Sequence, residues 1–172
     1  EYARRYAVPP ERAATELAMQ RASEAVTDAL AREFAGRLVG IAVDRRPQWQ
    51  VSVLLTGDDP VAPRTAGAVG LAIPIVFRTG AAASESAIVS AITGHQAAIR
   101  AALTRPPGIG LDARTGEMVV QVALADLMVT GRDVLARRFA ALTGVPVRVD
   151  VAGGPADAAA GDPPADAAAA AP

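Results

Sequence analysis

Few residues in this chain are of a type that does acid–base or nucleophilic chemistry. His95 is the one histidine, and histidine is the side chain that ordinarily titrates near neutral pH. It lies three residues after Ile92 and four before Ile99, a spacing that places it on or beside the apolar stripe of a helix. No cluster of partner residues accompanies it in the sequence. We therefore predict a half-buried helix residue with one polar contact, rather than a general base or a metal ligand.

Neither serine nor cysteine indicates nucleophilic catalysis in this sequence. Ser, His and Asp are all present, but the Gly-x-Ser-x-Gly elbow of many hydrolases is absent. Ser84 stands directly before a helical stretch, where a serine hydroxyl is typical of a helix cap. The chain has no cysteine, which excludes disulfides, thiolate chemistry and zinc sites built from cysteine. A small hydrolase is therefore the function that this sequence favours least.

Three groups of residues have other chemical interpretations. Asp44 and Asp112 occupy matching places at the ends of two similar strands; a catalytic pair would need them in one cleft, and turn formation is the simpler interpretation. Asp58 and Asp59 lack further ligands in the sequence for a cation. The pair Gly108-x-Gly110 lacks the rest of a dinucleotide fingerprint. The sequence therefore predicts no catalytic residues, no metal and no cofactor.

Composition excludes further classes of partner. The 172 residues carry a net charge of −1, and all 17 basic residues are arginines scattered along the chain. Neither nucleic acid nor an anionic membrane is therefore an expected partner. No apolar run approaches the roughly 18 residues of a membrane span, and no signal peptide is present. Because the chain starts without Met, we expect it to be a segment of a longer polypeptide.

The sequence contains the same pattern twice. In each copy a long amphipathic stretch precedes a glycine-led strand that ends in aspartate, then a turn, an alternating strand and a later strand entered through proline. The copies are Gly40–Asp44, Gln50–Leu55 and Ile73–Phe77, and then Gly108–Asp112, Val119–Leu124 and Val145–Val149. We interpret the pattern as a duplication; the alternative is chance similarity between valine-rich strands.

The helices have recognisable ends. Pro9 and Pro10 suit the entry of a first helix that ends near Gly36. Its apolar stripe has helical spacing and consists of Met19, Ala22, Val26, Leu30 and Phe34. A second helix is predicted from about Ser84 to Leu103. Residues 130–133 match a capping box that starts a further helix, which Gly144 is placed to end. Residues 61–72 are poorly patterned and are compatible with a short helix. Trp49 is either an exposed anchor for a partner or packed on the helix of its own module.

These elements predict the α+β class. We expect two tandem modules, residues 1–80 and 81–151, each a short three-stranded sheet with helices packed on one face. The order in each is helix, strand, strand, helix, strand, with the inner helix weak in the first. Residues 152–172 are mostly Ala, Pro and Asp, a composition that predicts a disordered linker.

The same segments resemble a known family. Tyr6–Gln20, Phe34–Val43 and Trp49–Gly57 resemble the N-terminal region found before some secreted trypsin-like serine proteases. Gly108–Val120, the following helix and Val145–Val151 look like the second module of the alpha-lytic protease and streptogrisin pro-regions. The resemblance covers roughly residues 6 to 151.

This resemblance implies a non-catalytic role. Such pro-regions act as folding chaperones and inhibitors of the attached protease, which they bind through a small sheet. It implies a secreted or periplasmic protein whose partner is a protease domain in the same polypeptide. The positions carried over as partner-facing lie opposite the apolar faces of their strands: Val119, Gln121, Arg148 and Asp150.

The chain departs from the family pattern after residue 151. A family pro-region presents its C-terminal segment to the active site, whereas here a long Ala/Pro-rich segment follows. The alternative hypothesis is therefore a protein-binding or sensor module that the linker joins to an unrelated domain.

Overall fold

A computed structural model describes residues 9–45, 48–68 and 70–153. The described part of the chain forms four helices and two mixed sheets, which confirms the predicted α+β class. In chain order the elements are α1 (Pro10–Glu33), β1 (Leu38–Asp44), β2 (Gln50–Thr56), β3 (Arg64–Ala68), β4 (Leu71–Ala81), α2 (Glu85–Ala101), β5 (Gly108–Asp112), β6 (Glu117–Val122), α3 (Leu124–Thr130), α4 (Arg132–Thr143) and β7 (Val147–Val151).

The first sheet has the order β1-β2-β4-β3. Its central strand β2 pairs antiparallel with β1 and parallel with β4. Alternate residues of the strands point to one face, where α1 packs on them. The helix contributes the predicted stripe through Val26 and Leu30, and β2 contributes Val51, Val53 and Leu55. Trp49 belongs to the same buried cluster, so of the two interpretations the internal one is confirmed.

The second sheet, β5-β6-β7, repeats this arrangement. Its central strand β6 is antiparallel to β5 and parallel to β7. Ile88 and Ile99 of α2, with Leu135 and Phe139 of α4, bury the inner face. The parallel pairing of β6 with β7 requires a crossover connection, which α3 and α4 provide. Both modules therefore share the order of their three principal strands, as the doubled pattern predicts.

The first module differs from the prediction in having a fourth strand. Residues 64–68 form β3, which pairs antiparallel with β4, and the weak inner helix is not formed. Arg64 holds the strand against α1, since its guanidinium bonds to Glu33 and lies over the rings of Phe34 and Phe77. These are tertiary contacts, which the local pattern of residues 61–72 does not contain.

The region around α3 also differs from the prediction. Leu124, expected to be the last residue of the strand Val119–Leu124, instead begins α3 and is exposed. The capping box is wrong as well: Thr130 is the last residue of α3, and α4 begins after Gly131, without a side-chain cap. Gly131 has φ 87°, a left-handed conformation that glycine adopts readily. This glycine lets the chain turn directly from one helix into the next.

The other predicted helix ends are confirmed. Pro9 and Pro10 begin α1, and the Ser84 hydroxyl accepts a bond of 3.3 Å from the Ala87 N–H at the start of α2. Gly144 ends α4 in the left-handed region. The predicted linker lies outside the described residues from 154 onwards.

The two modules meet where the β5–β6 turn packs on the outer face of the first sheet. A Cβ built on Gly40 would lie 2.5 Å from the Ala113 Cα, and one built on Gly116 would lie 2.9 Å from a methyl carbon of Val39. Val39 and Leu54, which belong to this face, are buried. The contact therefore allows no side chain at Gly40 unless the backbone of the turn shifts.

We expect Gly40→Ala to lower the free energy of unfolding by about 1–3 kcal/mol, as overpacking typically does. Gly110→Ala is the matched control, since that strand glycine has open space around the site of a Cβ. Alanine at this position lowers the conformational entropy of the unfolded chain, so the variant should be as stable as the wild type or slightly more stable. Urea unfolding of both variants measures the difference, and equal midpoints for the two would contradict the contact.

Candidate functional site

The four predicted partner-facing residues lie side by side on the outer face of the second sheet. Val119 pairs with Arg148, and Gln121 pairs with Asp150, across the parallel strands β6 and β7. Gln121 is exposed and the other three are half-buried. The structure therefore brings these residues together on one surface, while their part in binding remains a prediction.

Arg148 is the centre of the charges on this face. Its guanidinium lies 3.1 Å from Asp112, 3.2 Å from Asp150 and 3.6 Å from Glu117. Burial lowers the pKa of Arg148, but the charges of Asp150 and Asp112 outweigh it and raise the pKa above its ordinary value. The arginine therefore remains charged and spans all three strands of the sheet.

The second sheet also has an unpaired edge at β7. The Met118 N–H donates to the Pro146 carbonyl, and the Ala152 N–H donates to the Val122 carbonyl. Since main-chain groups alternate in direction along a strand, the even-numbered residues of β7 bond to β6. Val147, Val149 and Val151 therefore direct their N–H and C=O groups to the edge, where no strand within residues 9–45, 48–68 and 70–153 pairs with them.

A second polar cluster lies where the modules meet. The Arg114 guanidinium, on the β5–β6 turn, bonds to the Asp44 carboxylate and, at 2.8 Å, to the Val43 carbonyl. Ser52 donates to the same carboxylate. Burial raises the pKa of Asp44, but the hydrogen bonds from Ser52 and Arg114 outweigh it and hold the pKa below its usual value. The charged carboxylate thus ties the two modules together.

Asp112 and Asp44 differ in their surroundings despite their matching positions. Asp112 accepts a 2.8 Å bond from the Arg114 N–H two residues on, which confirms it as a turn former. Burial raises the pKa of Asp112, but this backbone bond and the charge of Arg148 bring the pKa below its ordinary value. Asp44 instead accepts one bond from Ser52 in its own module and one from Arg114 across the junction. Arg114 therefore bonds to both aspartates.

The other chemical candidates remain apart from these clusters. The Nδ1 atom of His95 lies 3.0 Å from the Ala91 carbonyl oxygen, and the ring is half-buried, as predicted. Asp58 and Asp59 are exposed on a turn. Within the described ranges no three His, Asp or Glu side chains could hold a metal ion, and no helix there is long and apolar enough to span a membrane.

Two features of α3 are not indicated by the sequence pattern. Met128 and Val129 on α3 are 79% and 87% exposed, because α3 buries mainly its opposite side. On that side Asp126 is buried; one carboxylate oxygen accepts a 3.0 Å bond from the Thr104 N–H, and the other has no partner among the described residues. The sequence pattern does not reveal that a helix starts after Ala123, because the alternation of the preceding strand continues through Leu124.

No family model matches this chain, and no curated protein matches it either. The geometry of the two clusters and the open strand edge must therefore support any functional proposal.

The junction predicts a pH dependence. Since the folded pKa of Asp44 lies below its usual value, its stabilisation is complete above about pH 4 and is lost as the pH falls through the lowered pKa. We expect Arg114→Gln to weaken this acid dependence, because the variant removes one of the groups that favour the charged carboxylate.

Unfolding free energies from urea titrations between pH 6 and pH 2 measure the effect. Arg105→Gln is the control, since Arg105 is exposed and has no described ion pair. A curve for Arg114→Gln that runs parallel to the wild-type curve would contradict the role of the junction.

Proposed function

We propose that residues 1–151 form a non-catalytic, pro-region-like domain that assists the folding of, or restrains, a trypsin-like serine protease in the same polypeptide. The observation that supports it best is the open edge of β7 beside the polar outer face of the second sheet. An exposed edge and an adjoining face are the surfaces on which a sheet adds a strand from a partner.

A comparison of the two modules supports the edge as a binding surface. In the first sheet β4 occupies the position that β7 has in the second, because both pair parallel with the central strand. The other side of β4 is covered by β3, an antiparallel strand. The second sheet has no described counterpart of β3. A strand from the protease would complete the second sheet in the way that β3 completes the first.

The outer face would provide the side-chain contacts of the same complex. Val119, Gln121, Arg148 and Asp150 lie on the strands next to the open edge, and Arg148 is held in place by three carboxylates. A fixed, charged arginine binds a partner with little loss of side-chain entropy. Specificity would then come from these side chains, and affinity mainly from the main-chain bonds of the edge.

The resemblance to the protease pro-regions supports three further features. The segment itself would not be an enzyme, would need no cofactor and would be exported, to the periplasm or the medium, with its protease.

A protein-binding or sensor module joined to an unrelated domain is the second candidate. The Ala/Pro/Asp-rich sequence after residue 153 favours it, since such a composition is typical of tethers. The coding sequence downstream distinguishes the candidates. A His, Asp and Gly-Asp-Ser-Gly constellation would support the protease, and any other domain would support the sensor.

Expression of the full polypeptide with and without residues 1–151 tests the proposed function. We expect loss of this segment to reduce strongly the yield of folded, active protease, because the folding assistant is missing. Supplying residues 1–153 as a separate chain should restore part of the yield. Equal yield and equal activity without the segment would refute the proposal.

A single substitution tests the edge itself. In Val151→Pro the outward N–H is lost, and proline is tolerated on edge strands. We expect the affinity for the protease domain to fall about tenfold, because one main-chain hydrogen bond to the partner strand is lost and its acceptor is left unsatisfied. Val151→Thr keeps the N–H and the β-branched shape, and should bind as the wild type does. Binding measured by calorimetry that is equal for both variants would exclude pairing at this edge.

A further inference from the structure

The junction between the modules contains a polar depression that the proposed function does not use. It opens on the outer face of the first sheet, beside the β5–β6 turn, and has a volume of about 300 Å³. Its lining comes from three strands and from the turn. The lining residues are Asp44, Gln50, Ser52, Val76, Arg78 and Arg114.

The two arginines at this depression differ in how many of their N–H groups already have an acceptor. Arg114 is committed to Asp44 and to the Val43 carbonyl. Arg78 is exposed and donates one bond of 2.8 Å, from Nη2 to the Arg114 carbonyl. No other acceptor for Arg78 is described in residues 9–45, 48–68 and 70–153. That bond holds the guanidinium at the depression, while its other N–H groups are available to a ligand.

The charges of the lining favour an anion. Two guanidinium groups face one carboxylate, so the lining carries a net positive charge of one. The planar fork of arginine matches the two oxygens of a carboxylate. The Ser52 hydroxyl and the Gln50 side chain already donate to Asp44, so the donors left for a ligand are chiefly the remaining N–H groups of Arg78. The lining therefore offers donors to a second carboxylate beside the one that it already contains.

The shape of the depression favours a peptide over a metabolite. Sites for small molecules are usually enclosed and mostly apolar. This one is open and lies at the lower end of the usual range of volumes. Five of its six lining residues are polar or charged, and Val76 is the apolar one. A short acidic side chain on an extended backbone fits it better than a larger free ligand does.

We propose that this depression binds the carboxylate of a glutamate or aspartate side chain from an acidic peptide segment, with Arg78 as the principal contact. The site lies at the junction of the modules and includes no residue of β7, and it does not depend on the identity of the protease partner. It is a specific anion-binding position in a protein whose overall charge is nearly neutral.

The test is a titration of nitrogen-15-labelled protein, residues 1–172, with acetyl-Ala-Glu-Ala-amide, followed by NMR. We expect saturable shifts of the Arg78 Nε–H and of the Ser52 amide, with weaker binding at higher salt. The matched peptide acetyl-Ala-Gln-Ala-amide should bind about tenfold more weakly, since it lacks the charge. Equal affinity for the two peptides would overturn the proposal.

Two variants and one small anion complete the experiment. Arg78→Gln should lose the preference for the Glu peptide, and Arg78→Lys should keep only part of it, because lysine has the charge without the fork. The dispersed amide spectrum verifies that each variant is folded. An unchanged preference in Arg78→Gln would overturn the assignment to Arg78. If sodium acetate bound with the same affinity as the Glu peptide, the peptide would be overturned as the ligand. If the Glu peptide caused no saturable NMR shift, the site itself would be overturned.

Discussion

The packing of the β5–β6 turn on the first sheet is the contact on which the molecule as a whole depends. Each module has its own buried cluster, but Val39 and Leu54 on the outer face of the first sheet are buried at this contact. The close approach of Gly40 to the turn permits it, and Arg114 fixes it by a charged bond to Asp44. A turn of one module thus covers part of the sheet of the other and excludes solvent from it.

The sequence was sufficient where a short-range pattern decides the structure. Alternating valines predicted the central strands, and the α1 stripe through Val26 and Leu30 predicted the helical core. It was insufficient at β3, where the ion pair of Arg64 with Glu33 and the stacking on two phenylalanines come from residues far along the chain. At Gly131 the pattern predicted the wrong helix start, because a left-handed glycine serves there in place of a side-chain cap.

The candidate surfaces divide in the same way. Alternation along β6 and β7 was enough to place Val119 and Arg148 on the outward face. The junction was hidden from the sequence, because Asp44 and Arg114 are 70 residues apart and the strand ends look like ordinary turns. The matching positions of the two aspartates also predicted the same role for both. Asp112 does form a turn bond, but its counterpart Asp44 bonds to the other module.

The open edge of β7 restricts which sequences could pair with it. An added strand continues the pleat of its neighbour, so residues level with Arg148 and Asp150 would share their charged face, and those level with Val149 would point toward α4 and Phe139. A fitting segment must alternate polar and apolar residues over about five positions. It must also lack proline wherever its own N–H meets a valine carbonyl. Candidate partner segments can therefore be ranked from their amino-acid sequences alone, by how well they meet these two requirements.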